Sequence, residues 1–224
     1  MKLTAEQITY IENYIKSFDI KYYEVYMEIL DHMILSVEAI LEENKEITFE
    51  DAVLKAKVEG FGKKGFRGMM DERLQLAQKQ ARKENNKMIK EYFTFPKIVM
   101  TIAVFVGYFL FLMFFDEPRI AHAIISTALM FFGFSQYLYF KKFQKIKNFY
   151  ILKTHMLNFA SMLLFPIYQL SNTFLIFGKE SIDFDHILIR LFMTTVFTFL
   201  LISLLVYIEI RKKTMEELKT QIFV

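Results

Sequence analysis

No cysteine occurs in the 224 residues, which excludes disulfides, thiolate metal sites and cysteine nucleophiles. Tryptophan is absent too, and proline occurs three times, at Pro96, Pro118 and Pro166. Glycine is scarce, with four of the seven crowded between Gly60 and Gly68. The N-terminal stretch MKLTAEQITYIENYIK lacks the uninterrupted apolar run of a cleavable signal peptide. Nowhere do a nucleophile, a base and an orienting group line up, so the chain is not read as an enzyme and no cofactor is expected. Net positive charge is missing from the first third. Residues 1–78 hold 10 Lys/Arg against 15 Asp/Glu, a net −5, and the remainder holds 18 against 10, a net +8. An acidic head has no Lys/Arg surface to neutralise phosphates, which argues against direct nucleic-acid binding.

Apolar residues are in excess instead. They make up 54 % of the chain, with 26 Phe, against about 45–50 % in soluble proteins. The excess lies after residue 97. A basic, helix-prone segment (KQARKENNKMIKEYF) leads through Pro96 into eighteen charge-free residues, Ile98 to Phe115. Everything before this junction reads as a soluble head, and nearly everything after it as membrane.

In the head, Thr4-Ala5-Glu6-Gln7 has the form of a capping box, and Ile8, Ile11, Tyr14 and Ile15 follow at helical spacing, predicting a helix from about Ala5 to Ser17. Tyr22, Tyr26, Ile29, Leu30, Met33 and Val37 mark an apolar stripe from about Lys21 to Glu43. Thr48 with Glu50 and Asp51 starts a third helix, predicted to end at Gly60. Gly60 to Gly65 matches G-x-G-x-x-G to the letter. A dinucleotide fingerprint needs a strand before it, so these glycines read as a helix stop and elbow. A fourth helix follows from about Met69 toward Tyr92, its second half too polar to bury. Glu28, Asp31 and His32 stand at i, i+3 and i+4, on one helix face or its edge. Glu and His four apart can bind a metal, but no further ligand is identifiable, and a solvated acidic stripe is the plainer reading.

The run EILDHMILSVEAILEEN, then ITFEDAVLKA, then GFG, resembles the HAAS domain, the helical signalling domain associated with helix-turn-helix regulators. The resemblance covers residues 8 to 65. It implies a helical domain preceding transmembrane helices, which relays signals to a cytosolic protein partner such as a PadR-like transcription regulator. The matching positions are Glu28, Asp31, His32, Glu50, Asp51, Ala52, Phe61 and Gly62. By that resemblance they serve helix packing, capping or partner contact, and Glu28, Asp31 and His32 are the candidate partner-binding residues. The sequence departs from the family at Tyr22, Tyr23 and Tyr26 and in the second glycine pair.

After the junction the hydropathy predicts four spans: Ile98–Phe115, Ile120–Phe140, about Met156–Phe177 with Pro166 inside it, and about Ile187–Ile210, with RKK at the exit. Lys141, Lys142, Lys145 and Lys147 with Arg211 to Lys213 make one side basic, and DEPR and KESIDFDH mark the other. The bias puts both termini in the cytoplasm. Asn158, Gln169 and Asn172 share the third span and are candidates for intramembrane polar packing against the bundle or another subunit. His122, Asp185 and His186 fall on the outer face, where they are either an external metal site or simple loop polarity.

The expectation is thus an all-α protein of the cell (inner) membrane. It has a cytoplasmic head over 1–78, a basic linker helix over 79–97, a four-helix transmembrane bundle over 98–210 and a cytoplasmic tail over 211–224. The linker is expected to be the sole covalent route between head and bundle. The expected partners are the lipid bilayer, a cytosolic protein and a second copy in a homo-oligomer. The function expected is signalling or regulation. The alternatives are a small transporter or permease-associated subunit, suggested by the polar third span, a membrane enzyme built on His122, Asp185 and His186, and a purely structural assembly protein.

Overall fold

The computed structural model describes residues 2–142, 144–146, 149–152, 164–178 and 182–222, and these are predominantly α-helical. They form two compact units, Met1–Lys79 with Phe143–His155, and Gln80–Lys142 with Met156–Val224. The chain therefore passes between the units after Lys79, Lys142 and His155. The 79–97 segment is not the sole covalent route between them.

The first unit is built on amphipathic helices. Helix α1 (Ala5–Lys16) opens with the capping box: Thr4 Oγ1 accepts from the Gln7 amide at 3.3 Å, and the Gln7 side chain accepts from the Thr4 amide at 2.9 Å. Its Ile11 and Ile15 are wholly buried against Val25, Ile29, Met33 and Val37 of α2 (Tyr23–Glu43). Helix α3 (Phe49–Phe61) starts from Thr48, whose hydroxyl accepts from the Asp51 amide, and contributes Ala52, Val53 and Ala56 to the same core.

Helix α3 stops at Gly62, where φ is +58° and ψ −159°. That region is open essentially to glycine alone. The elbow is tight, and α4 (Gly65–Glu91) begins at the next glycine rather than at Met69. A Cβ on Gly62 would meet nothing within 4 Å, so only backbone strain opposes a side chain there. Gly62→Ala is expected to lower stability by about 1–3 kcal/mol, while Gly60→Ala, inside α3, is tolerated or mildly stabilising. Thermal unfolding of both variants beside the parent checks this.

A segment expected as a basic membrane loop belongs to this unit. Strands β1 (Lys145–Ile146) and β2 (Phe149–Tyr150) pair antiparallel. The Tyr150 amide donates to Lys21 O at 2.8 Å, and the Leu152 amide donates to the Glu24 carboxylate at 2.8 Å. Phe149 stacks on Tyr26 with centroids 4.6 Å apart. Residues nearly 130 positions apart thus close the N-terminal end of α2.

In the second unit, α5 (Lys97–Met113), α6 (Pro118–Lys141) and α7 (Leu164–Phe177) pack around α8 (Ile187–Ile222). Two helices, over Pro118–Lys141 and Ile187–Glu217, are long and apolar enough to cross a membrane, and Lys97–Met113 is a shorter apolar helix. The expected start of the third span, from Met156, lies outside the described residues, and Pro166 falls in the first described turn of α7. Helix α8 has 36 residues and is about 54 Å long, well beyond the roughly 30 Å that a hydrocarbon core requires. Residues expected to form a tail after Ile210 continue the helix.

The second half of α4 covers that continuation. Asn85 and Tyr92 are buried, and Met88, Ile89 and Tyr92 join Tyr207, Ile210 and Met215 in one cluster. Lys213 pairs with Glu84 at 3.2 Å, and Lys97 bridges Glu91 and Glu209 at 3.2 Å. The polar composition of this stretch concealed a stripe at Ala81, Asn85, Met88 and Tyr92, at helical spacing.

The second unit buries apolar residues in two clusters, around Tyr207 and Leu200 and around Leu112 and Met193, yet it also leaves a wide apolar surface outside and polar side chains within. Val106, Leu110, Ile124, Phe131, Phe132, Leu170, Ile176 and Phe199 are exposed, while Thr101, His122, Ser126, Ser171, Thr194, Thr198 and Ser203 are buried.

Candidate functional site

Two places gather polar side chains. On the first unit, Glu28, Asp31 and His32 rise from α2, and the structure gives them separate tasks. Glu28 accepts from Arg73 of α4, with Nε at 2.9 Å from Oε2 and Nη2 against Oε1. The carboxylate holds the guanidinium above its already high range. This forked pair ties α2 to α4. His32 is exposed and stands edge-on to Phe61, centroids 6.4 Å apart. Asp31 is exposed.

His32 also borders a cleft of about 720 Å³ beside the glycine elbow, lined further by Phe61, Lys63, Lys64, Arg73 and Gln75. Asp71 and Glu72 contribute as well. With both signs of charge present, the cleft suits a peptide surface better than a lone ion. No group of three His, Asp or Glu residues capable of holding a metal ion occurs among the described residues. The cleft and the Arg73 partner were not foreseen from sequence, since Arg73 lies 45 residues from Glu28 and only the α3–α4 turn brings them together.

The second place is the interior of the helical bundle. His122 of α6 is 1 % exposed. Its Nδ1 meets the Tyr108 hydroxyl of α5 at 2.9 Å, and its Nε2 meets the Ser171 hydroxyl of α7 at 2.9 Å. One imidazole thus fastens three helices, and either hydroxyl can donate or accept. A weaker contact joins Thr127 to Tyr168 at 3.3 Å. Near the same end, Arg190 of α8 donates to Asp185 at 2.6 Å and to the Leu112 carbonyl, an unpaired acceptor at the end of α5. His186 Nδ1 accepts from the Leu188 amide at 3.2 Å and caps α8.

His122, Asp185 and His186 are therefore not brought together: one is buried between hydroxyls, one holds an arginine, and one caps a helix. Of the third-span amides, Gln169 is exposed, Asn172 is half-buried and Asn158 lies outside the described residues. The described interhelical hydrogen bonds of α7 run through Ser171 and Tyr168. Ser171→Ala is expected to cost about 1 kcal/mol, in the range of interhelical bonds in membrane bundles, and Gln169→Leu close to nothing. Melting of the detergent-solubilised variants measures both.

Comparison with known protein families, characterised proteins and solved structures returns no match.

Proposed function

We propose that the chain is a multi-pass membrane protein of the cell (inner) membrane whose first unit, on the cytoplasmic side, docks a cytosolic protein in signalling or regulation. The observation that carries the membrane part is the large exposed apolar surface of the second unit, with Phe131, Phe132 and Ile176 outside, while Ser171, His122 and Thr198 are paired inside. Water gives such a surface no support, whereas lipid tails do.

Parity supports four crossings from the two long spans. Residues on either side of Gln80–Lys142 belong to one compact unit, so the chain has returned to its starting side. If α6 crosses, α5 crosses as well. The far end of α8 pairs with α4 through Lys213–Glu84 and with the end of α6 through Arg211 and Gln136. If α8 crosses, the chain through α7 crosses too. The lysines and arginines then gather on one side, as the charge bias requires.

The docking part rests on α2. Among the positions resembling the HAAS pattern, Glu28 is bound to Arg73, Asp51 is engaged with the Thr48 cap of α3, Ala52 is buried and Gly62 turns the elbow. Of the others, Asp31 and His32 are exposed on α2 and Glu50 on α3, and His32 and Phe61 line the cleft. By the same resemblance the partner class is a PadR-like helix-turn-helix regulator. This reading assigns the chain no catalytic step.

Capture of such a regulator by the intact, detergent-solubilised protein, lost at least tenfold in the Asp31→Lys, His32→Ala variant, is the expected result. If the parent protein retains no cytosolic protein but moves a solute in liposomes, the transporter reading replaces this one.

A further inference from the structure

The exposed face of α4 just before the membrane carries a stripe of lysines. Lys83, Lys87 and Lys90 are exposed, and their i, i+4, i+7 spacing sets them on one face over about 10 Å. The two acids of this stretch, at the edge of that face, are each paired with a cation from outside the stripe: Glu84 with Lys213 and Glu91 with Lys97, each at 3.2 Å. Beyond it, Phe93 is 43 % and Phe95 85 % exposed, and the outward face of α5 opens with Val99, Met100 and Ile102. Bare cations, then two exposed aromatic rings, then an apolar face is the order of layers met on passing from water through headgroups into acyl chains.

We infer that Lys83, Lys87 and Lys90 form a binding surface for the headgroups of anionic lipids in the leaflet facing the first unit. A nucleic-acid duplex would accept the same cations, but its base faces are already stacked and offer nothing to Phe93 and Phe95, whereas the lipid interface takes both. The inference rests on the membrane reading of the second unit. It adds to that reading a lipid preference and a gradient. The stripe runs beside α8 from the Lys213 level toward the Lys97 level, so Lys90 lies nearest the headgroups and Lys83 farthest. The surface field decays within a Debye length, about 10 Å at 0.1 M salt, so the contributions fall in the order Lys90, Lys87, Lys83.

The test uses intact protein reconstituted in phosphatidylcholine vesicles doped with spin-labelled phosphatidylglycerol or spin-labelled phosphatidylcholine. The protein is expected to favour the anionic probe by about fivefold, the increment of one well-placed lysine, or more. The preference weakens with added salt and falls to near parity in the Lys83→Gln, Lys87→Gln, Lys90→Gln variant. Because all three positions are exposed, that variant keeps its melting temperature. Three outcomes overturn the inference: no preference in the parent, a preference that survives the triple substitution, or tighter binding of duplex RNA than of anionic vesicles at equal salt. Alkaline washing of the same vesicles separates the two levels. Protein that stays in the membrane without a preference fails this inference alone, and protein that washes out fails the membrane reading beneath it.

Discussion

Phe66→Ala is expected to remove about 3–5 kcal/mol from the first unit, the usual cost of emptying a buried aromatic site. Phe66 is 1 % exposed in the first turn of α4. Its ring lies edge-on to Phe61 at 4.7 Å, Phe18 at 5.1 Å and Tyr14 at 6.3 Å. These partners come from the end of α3 and from α1 and its exit, so one side chain joins three segments. Against a typical domain stability of about 5–15 kcal/mol, the loss leaves little in reserve. Hydrogen exchange of the α1–α3 amides in the intact protein reads the effect locally, and Phe66→Leu, which keeps most of the volume, should cost under about 1.5 kcal/mol. An alanine variant within about 1 kcal/mol of the parent would mean that the elbow is not where this unit is held together.

Phe131→Lys is expected to cost about 2.5–3.5 kcal/mol in the insertion of α6, the penalty for a cation at the centre of a spanning helix. Phe131 stands near the middle of α6 and is 70 % exposed. In water the same change on an exposed surface would fall within about 0.5 kcal/mol of neutral, or improve solubility. The two solvents thus give clearly different answers for one residue. The measurement is the inserted fraction of the span in a glycosylation-mapped translation assay, with Lys141→Gln at the helix end as the control that leaves insertion unchanged. Equal insertion of the lysine variant and the parent would sink the bilayer reading of this helix.

Much of this architecture was legible in the sequence because it follows from local periodicity. The stripes of α1 and α2 and the Thr4 and Thr48 caps are written within a few residues of where they act. The failures share a cause. Gly65 and Gly68 were read as part of a break, yet both lie in α4, because positive φ is confined to Gly62 and Gly65 among the glycines and the turn needs only three residues before helix resumes. Phe149 and Leu152 were hidden among lysines, and the tyrosines and the Glu24 carboxylate that receive them lie on α2, far away in sequence. Residues after Ile210 looked like an exit because Arg211, Lys212 and Lys213 end the apolar run. The helix continues because α4 supplies Glu84, Met88 and Tyr92 as a second wall. In the bundle, the amides Gln169 and Asn172 drew attention as strong hydrogen-bonding groups, but small hydroxyls fit between closely packed helices and bond with less bulk. Tyr108, His122 and Ser171 could have been found only by knowing which helices face one another.

The account's central claim is that residues 1–79 and the segment between α6 and α7 share one side of a membrane, with the α5–α6 and α7–α8 connections on the other. The absence of cysteine makes it testable with single introduced thiols and a membrane-impermeant maleimide. Asp31→Cys, Lys145→Cys and Lys212→Cys proteins are expected to label only after the inner membrane is permeabilised, and Asp116→Cys and Asp183→Cys proteins to label in intact spheroplasts. Labelling of Asp31→Cys and Lys145→Cys from opposite sides, or equal labelling of all five before permeabilisation, would contradict it.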